Sequence, residues 1–68
     1  MITVEVFFQD TSYGTVTFGD GDPRIDGGHD TTLQAMIDSC VNRLAGQELN
    51  AENFIASLHG HWWGQIKE

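Results

Sequence analysis

The chain predicts an α+β fold: a small antiparallel sheet, made of an N-terminal hairpin and a C-terminal strand, with two helices packed on one face in the order ββααβ. Three observations carry that expectation. Residues 2–18 alternate apolar and polar side chains at period two. Residues 31–46 place apolar side chains at helical spacing between capping signals. A stretch rich in Gly and Asp separates the two. With 68 residues, no internal repeat and no linker composition, the chain reads as a single small domain, 1–68.

Each element follows from its residues. In Ile2-Thr3-Val4-Glu5-Val6-Phe7-Phe8, the side chains of Ile2, Val4, Val6 and Phe8 share one face of a half-buried strand. Gln9-Asp10-Thr11-Ser12 is a polar turn cluster. Tyr13 to Phe18 reads as the returning strand, with Val16 and Phe18 inward and Tyr13, Thr15 and Thr17 outward. Residues 19–30 (GDGDPRIDGGHD) read as loop throughout, long for a domain of this size.

A helix opens at Thr31, whose spacing from Gln34 fits a capping box, with Asp30 at the positive end of the dipole. Leu33, Met36, Ile37, Cys40, Val41 and Leu44 form its apolar stripe, and Gly46 stands where a C-terminal glycine ends a helix. Asn50 caps a second, short helix. Leu49 and Phe54 fit a hydrophobic staple around that cap, Phe54, Ile55 and Leu58 form the stripe, and Gly60 stops it. His61 to Lys67 closes the sheet as a strand, with Trp62 and Ile66 on one face and His61, Trp63, Gln65 and Lys67 on the other. The expected core is Ile2, Val4, Val6, Phe8, Val16, Phe18, Leu33, Met36, Ile37, Val41, Leu44, Phe54, Ile55, Leu58, Trp62 and Ile66. Phe7, Tyr13 and Trp63 are left as outward aromatics, natural contacts if so small a chain gains stability by dimerising.

Charge narrows the function classes. Ten acids against three bases give a net charge of −7, although only 19% of residues are charged. Arg24, Arg43 and Lys67 are too few to neutralise a row of phosphates, so neither direct nucleic-acid binding nor attraction to an anionic membrane is expected. No apolar run approaches the ~18 residues of a membrane span, and no stretch reads as a signal leader. A single cysteine excludes an internal disulfide, and the cytoplasm is the expected compartment.

Motifs for chemistry fail in detail. Asp20, Asp22 and Asp26 invite calcium, but counting from Asp20 puts Ile25 where a calcium loop needs Gly and Thr31 where it needs Glu. His59 and His61, with His29, Asp30 and Cys40, could be gathered into a transition-metal site, but no second paired motif accompanies them. Cys40 lies on the apolar stripe rather than as an exposed thiolate. Ser12, Ser39 and Ser57 fall in no nucleophile elbow, and FGDGDP lacks the Lys of a phosphate loop. No catalytic residue and no cofactor is assigned.

What remains is the acidic surface. Six of the ten acids fall in the first 30 residues, four of them at Asp20, Asp22, Asp26 and Asp30. A field of one sign steers association with a basic partner. In size, acidity and α+β layout the chain resembles small phage-encoded inhibitors, including anti-CRISPR proteins, a resemblance of composition rather than of motif. The expectation is a non-enzymatic inhibitor that occupies a basic nucleic-acid-binding surface of another protein, as a partial DNA mimic. Asp20, Asp22, Asp26, Asp30 and Asp38 would supply charge and Phe7, Tyr13 and Trp63 aromatic anchors. The alternatives are an assembly module that self-associates through a sheet edge or these aromatics, and a metal-binding protein using His29, His59 and His61.

Overall fold

A computed structural model describes residues 1–67, with the last acid, Glu68, outside the described residues. β1 (Ile2–Phe8) and β2 (Thr11–Phe18) form the expected hairpin, followed by β3 (Arg24–Asp26), α1 (Asp30–Leu44), α2 (Ala51–Ser57) and β4 (Trp62–Ile66). The sheet is antiparallel throughout, in the order β3-β2-β1-β4. Both helices cover one face, α1 over β2 and β3, α2 over β1 and β4.

β3 is a correction, because it lies inside the stretch expected to be loop. Ile25 pairs with Val16, and Arg24 and Asp26 pair with Thr17 and Thr15. Three residues are too short for alternation to reveal, and only their place beside β2 makes them a strand. The hairpin turn is also tighter than expected, Gln9 and Asp10 alone, with Gln9 at φ 54°.

The face assigned to Tyr13 is a second correction. Val6 pairs with Gly14 but Phe7 pairs with Ser12, so Tyr13 is the extra residue of a β-bulge. Gly14 makes the bulge feasible at φ 121°, a conformation L side chains rarely adopt. The bulge turns Tyr13 inward, where it meets Phe8, Trp62 and His29 at ring-centroid distances of 6.4, 4.9 and 4.6 Å.

α1 starts one residue earlier than its sequence signal. His29 occupies the cap without a side-chain bond, and Gln34 donates to Asp38 instead of closing a box with Thr31. The helix ends in two left-handed residues, Ala45 (φ 52°) and Gly46 (φ 94°). α2 begins as expected: Asn50 Oδ1 accepts from Asn53 N–H at 2.8 Å. Leu49 of the staple packs against the core.

The core holds Val4, Val6, Val16, Phe18, Leu33, Ile37, Leu44 and Phe54 as expected, and adds Cys40 and Ala51. Met36, Ile55, Leu58 and Trp62 pack partly buried around it, and Phe8 is half-buried. Three expected members are not in it: Ile2, Val41 and Ile66 are 43%, 47% and 50% exposed. Their periodicity is right, but β4 is an edge, and among the described residues no strand lies beyond Ile66. Val41 sits at the margin of the helix stripe, past the reach of the sheet.

Candidate functional site

The five expected acidic residues divide between two surfaces. Asp20 and Asp22 are exposed in the β2–β3 connection, which Pro23 leads into β3. Asp30, Gln34 and Asp38 recur every four residues, on one side of α1, with Gln34 Nε2 donating to Asp38 Oδ1 at 3.0 Å. Pro23, Ile25, Asp30, Gln34 and Asp38 all line one open groove between β3 and α1. Asp26 points elsewhere. It shares the helix-free face of the sheet with Arg24, whose Nε lies 4.0 Å from its carboxylate. That pair is solvent-exposed and contributes little to stability.

None of the three bases lines the groove. Lys67 pairs with Glu5 at 3.3 Å on the helix-free face. Arg43 lies on the opposite side of α1, where its Nη1 donates to the Ser57 carbonyl at 2.8 Å and lies 3.0 Å from His59 Nδ1. By satisfying an orphan carbonyl at the end of α2, Arg43 ties the two helices together.

The expected aromatic anchors also divide. Phe7 and Trp63 stack on the helix-free face, with centroids 4.2 Å apart and planes 8° from parallel. Trp63 Nε1–H donates to the Gln9 carbonyl at 2.7 Å, which pins the indole while leaving it 43% exposed. Tyr13 lies across the sheet from them, on the inner side. The eight expected contact residues therefore do not make one patch: Asp30 and Asp38 share a groove, Asp20 and Asp22 lie in the connection before β3, Phe7 and Trp63 share a stack, and Asp26 and Tyr13 belong to none of these.

Beside the stack, Glu5 accepts from Ser12 Oγ at 2.7 Å, and this bond, first of all, holds its carboxyl below the ordinary glutamate value; desolvation opposes it and Lys67 adds to it. The sign follows: a depressed folded-state pKa gives stability present above the ordinary value and lost as pH falls through the folded one. Ser12→Ala is expected to move the Glu5 titration upward, measured by NMR of its carboxyl carbon. An unchanged midpoint would show that Ser12 does not hold the charge.

One feature escaped sequence reasoning. A groove of about 500 Å³ runs between α1 and the α2–β4 junction, walled by Met36, Leu58 and Trp62 with Arg43 and His59 at its rim. No local signal marks it, because it exists only where α2 crosses α1. The three histidines have separate neighbours: His59 faces Arg43, His29 lies against Tyr13, and His61 meets Phe8 edge-on. Among the described residues, no group of three or more His, Cys, Asp or Glu is placed to hold a metal. Cys40 is buried, its Sγ 3.9 Å from the Asn53 carbonyl. Among the described residues, no helix is long and apolar enough to cross a membrane.

No family model, curated protein or solved structure matches the chain.

Proposed function

We propose that the chain is a non-enzymatic binding module whose β3–α1 edge occupies a basic, nucleic-acid-binding surface of a partner protein. One observation carries this reading: Asp30 and Asp38 line the same groove as Pro23 and Ile25, with no base in the lining, and Asp20 and Asp22 are exposed in the connection that leads into β3. Helical rise separates Asp30 from Asp38 by ~12 Å on a rigid element, so their carboxylates are held in place rather than on mobile loops. Pro23 and Ile25 add an apolar floor, which the reading needs because charge steers association more than it sets affinity. The same design, acids presented where a partner expects phosphates, is what the resemblance to small phage inhibitors implies.

The test uses the protein as bait in a bacterial lysate beside a triple variant, Asp22→Asn, Asp30→Asn and Asp38→Asn. A nucleic-acid-handling protein should be retained by the wild type, displaced by added duplex DNA, shed as salt rises, and lost on the variant bait. The same proteins held equally by both baits would sink the acidic-edge reading. Loss of binding in Trp63→Ala with the triple variant unaffected would move the interface to the helix-free face.

A further inference from the structure

The strand order leaves the sheet two free edges, and they are built differently. β3 is three residues long, follows Pro23 and carries Arg24 and Asp26 around its one apolar residue. Short, charged, proline-flanked strands resist pairing with other chains. β4 reads Trp62-Trp63-Gly64-Gln65-Ile66, with no charge and no proline, and pairs with β1 in unbroken register. It also bears two uncovered apolar side chains: Trp63 on the helix-free face, and Ile66, 50% exposed, on the helix-covered one.

The backbone of β4 has a defined direction. Gln9 N–H donates to the His61 carbonyl and Lys67 N–H donates to the Thr3 carbonyl. By the alternation of an antiparallel ladder, His61, Trp63, Gln65 and Lys67 spend their backbone groups on β1. Gly64 and Ile66 therefore aim both N–H and C=O at the open edge. Trp62 N–H is used by the His59 carbonyl at 3.2 Å, which leaves the Trp62 carbonyl available there.

We propose that β4 pairs antiparallel with β4 of a second copy about a two-fold axis at Gly64, joining the two sheets into one. This register satisfies every one of these open groups except the Ile66 carbonyl, whose partner would be the Trp62 N–H already used within the chain. The two Gly64 residues exchange their N–H and C=O, and each Ile66 N–H donates to the Trp62 carbonyl of the other copy. It also matches faces. Ile66 of one copy lies opposite Trp62 of the other on the helix-covered side, and Trp63 lies opposite Gln65 on the helix-free side, so both uncovered apolar side chains gain cover.

Charge permits it. The acids at Asp20, Asp22, Asp30 and Asp38 lie at the β3 edge, so three strand spacings, roughly 14 Å of sheet, separate them from the axis strand. Lys67 falls opposite His61 of the other copy, beside the turn that carries Asp10. Pairing through β4 is independent of what the acidic edge binds, and it leaves both β3–α1 edges free.

Sedimentation equilibrium from micromolar to near-millimolar protein tests this. The wild type is expected to approach twice the chain mass, and Ile66→Lys, which sets a charge at the edge, to self-associate at least ~10-fold more weakly with an unchanged far-UV spectrum. Gly64 is not the position to alter, since a Cβ there would come within 2.9 Å of Val4 Cγ1. Wild-type protein at single-chain mass throughout would overturn the proposal. So would an Ile66→Lys dimer as tight as the wild type; if Trp63→Ala then dissociates it, the contact lies on the helix-free face. If Ile66→Lys fails to fold, amide exchange of the wild type decides. Gly64 and Ile66 N–H should exchange more slowly as concentration rises, and concentration-independent exchange would overturn the pairing.

Discussion

Phe54→Ala is expected to leave most of the chain unfolded at 25 °C, read as collapse of the near-UV signal and loss of a cooperative urea transition. Phe54 is fully buried and its ring packs 5.3 Å from that of Phe18, so it bridges α2 to the centre of the sheet. Truncating a buried Phe removes about 3–5 kcal/mol. In a chain of 68 residues a single core supplies no more than about 3–5 kcal/mol of net stability, so the loss takes most or all of it. Val41→Ala provides the contrast. Sequence periodicity places Val41 in the core, yet it is 47% exposed, and its truncation should cost under about 1 kcal/mol. Equal destabilisation by the two variants would contradict the position of α1 over the sheet.

Gly14→Ala is the second large effect, expected at about 2–3 kcal/mol. Gly14 sits at φ 121°, and a Cβ there would drive into the Asp26 carbonyl oxygen and stand 3.2 Å from Gly27 Cα. Both obstacles are backbone, so no side chain can swing aside. The bulge must be lost or β3 must part from β2. Amide exchange should report the second as faster exchange at Thr15, Thr17, Arg24 and Asp26, and binding through the β3–α1 edge should weaken with it. Gly21→Ala separates strain from collision. Gly21 also has a positive φ, 89°, but meets nothing within 4 Å, and should cost only about 1 kcal/mol. If Gly14→Ala is no worse than Gly21→Ala, the close approach of β2 and β3 is not as described.

Much of the fold was legible because its signals are local. Alternation from Ile2 to Phe8 marks β1 and its buried face at Val4 and Val6. The stripe through Leu33, Ile37, Cys40 and Leu44 marks α1 and the burial of its lone thiol. Asn50 declares the start of α2 by a bond to its own neighbour, Asn53, and two Trp residues near the end imply a strand with something to pack on. The candidate site was legible only in its ingredients. Asp30 and Asp38 stand two helical turns apart in any reading, but that Pro23 and Ile25 face them depends on β3.

The sequence by itself determined the class of the fold, the order of five of its six elements, most of the core and the strongly acidic character. Each of these depends on residues within about one turn or one strand of each other. Only the tertiary structure decided that Ile25 belongs to a fourth strand, that Tyr13 turns inward, that Ile2, Val41 and Ile66 stay partly in solvent, and that Asp26 parts company with Asp30 and Asp38. The physical reason is the same throughout. Periodicity says which side of an element is apolar, whereas burial, bulges and edges depend on which distant backbone lies next to it, as Gly14 and Gly27 do across the β2–β3 pair.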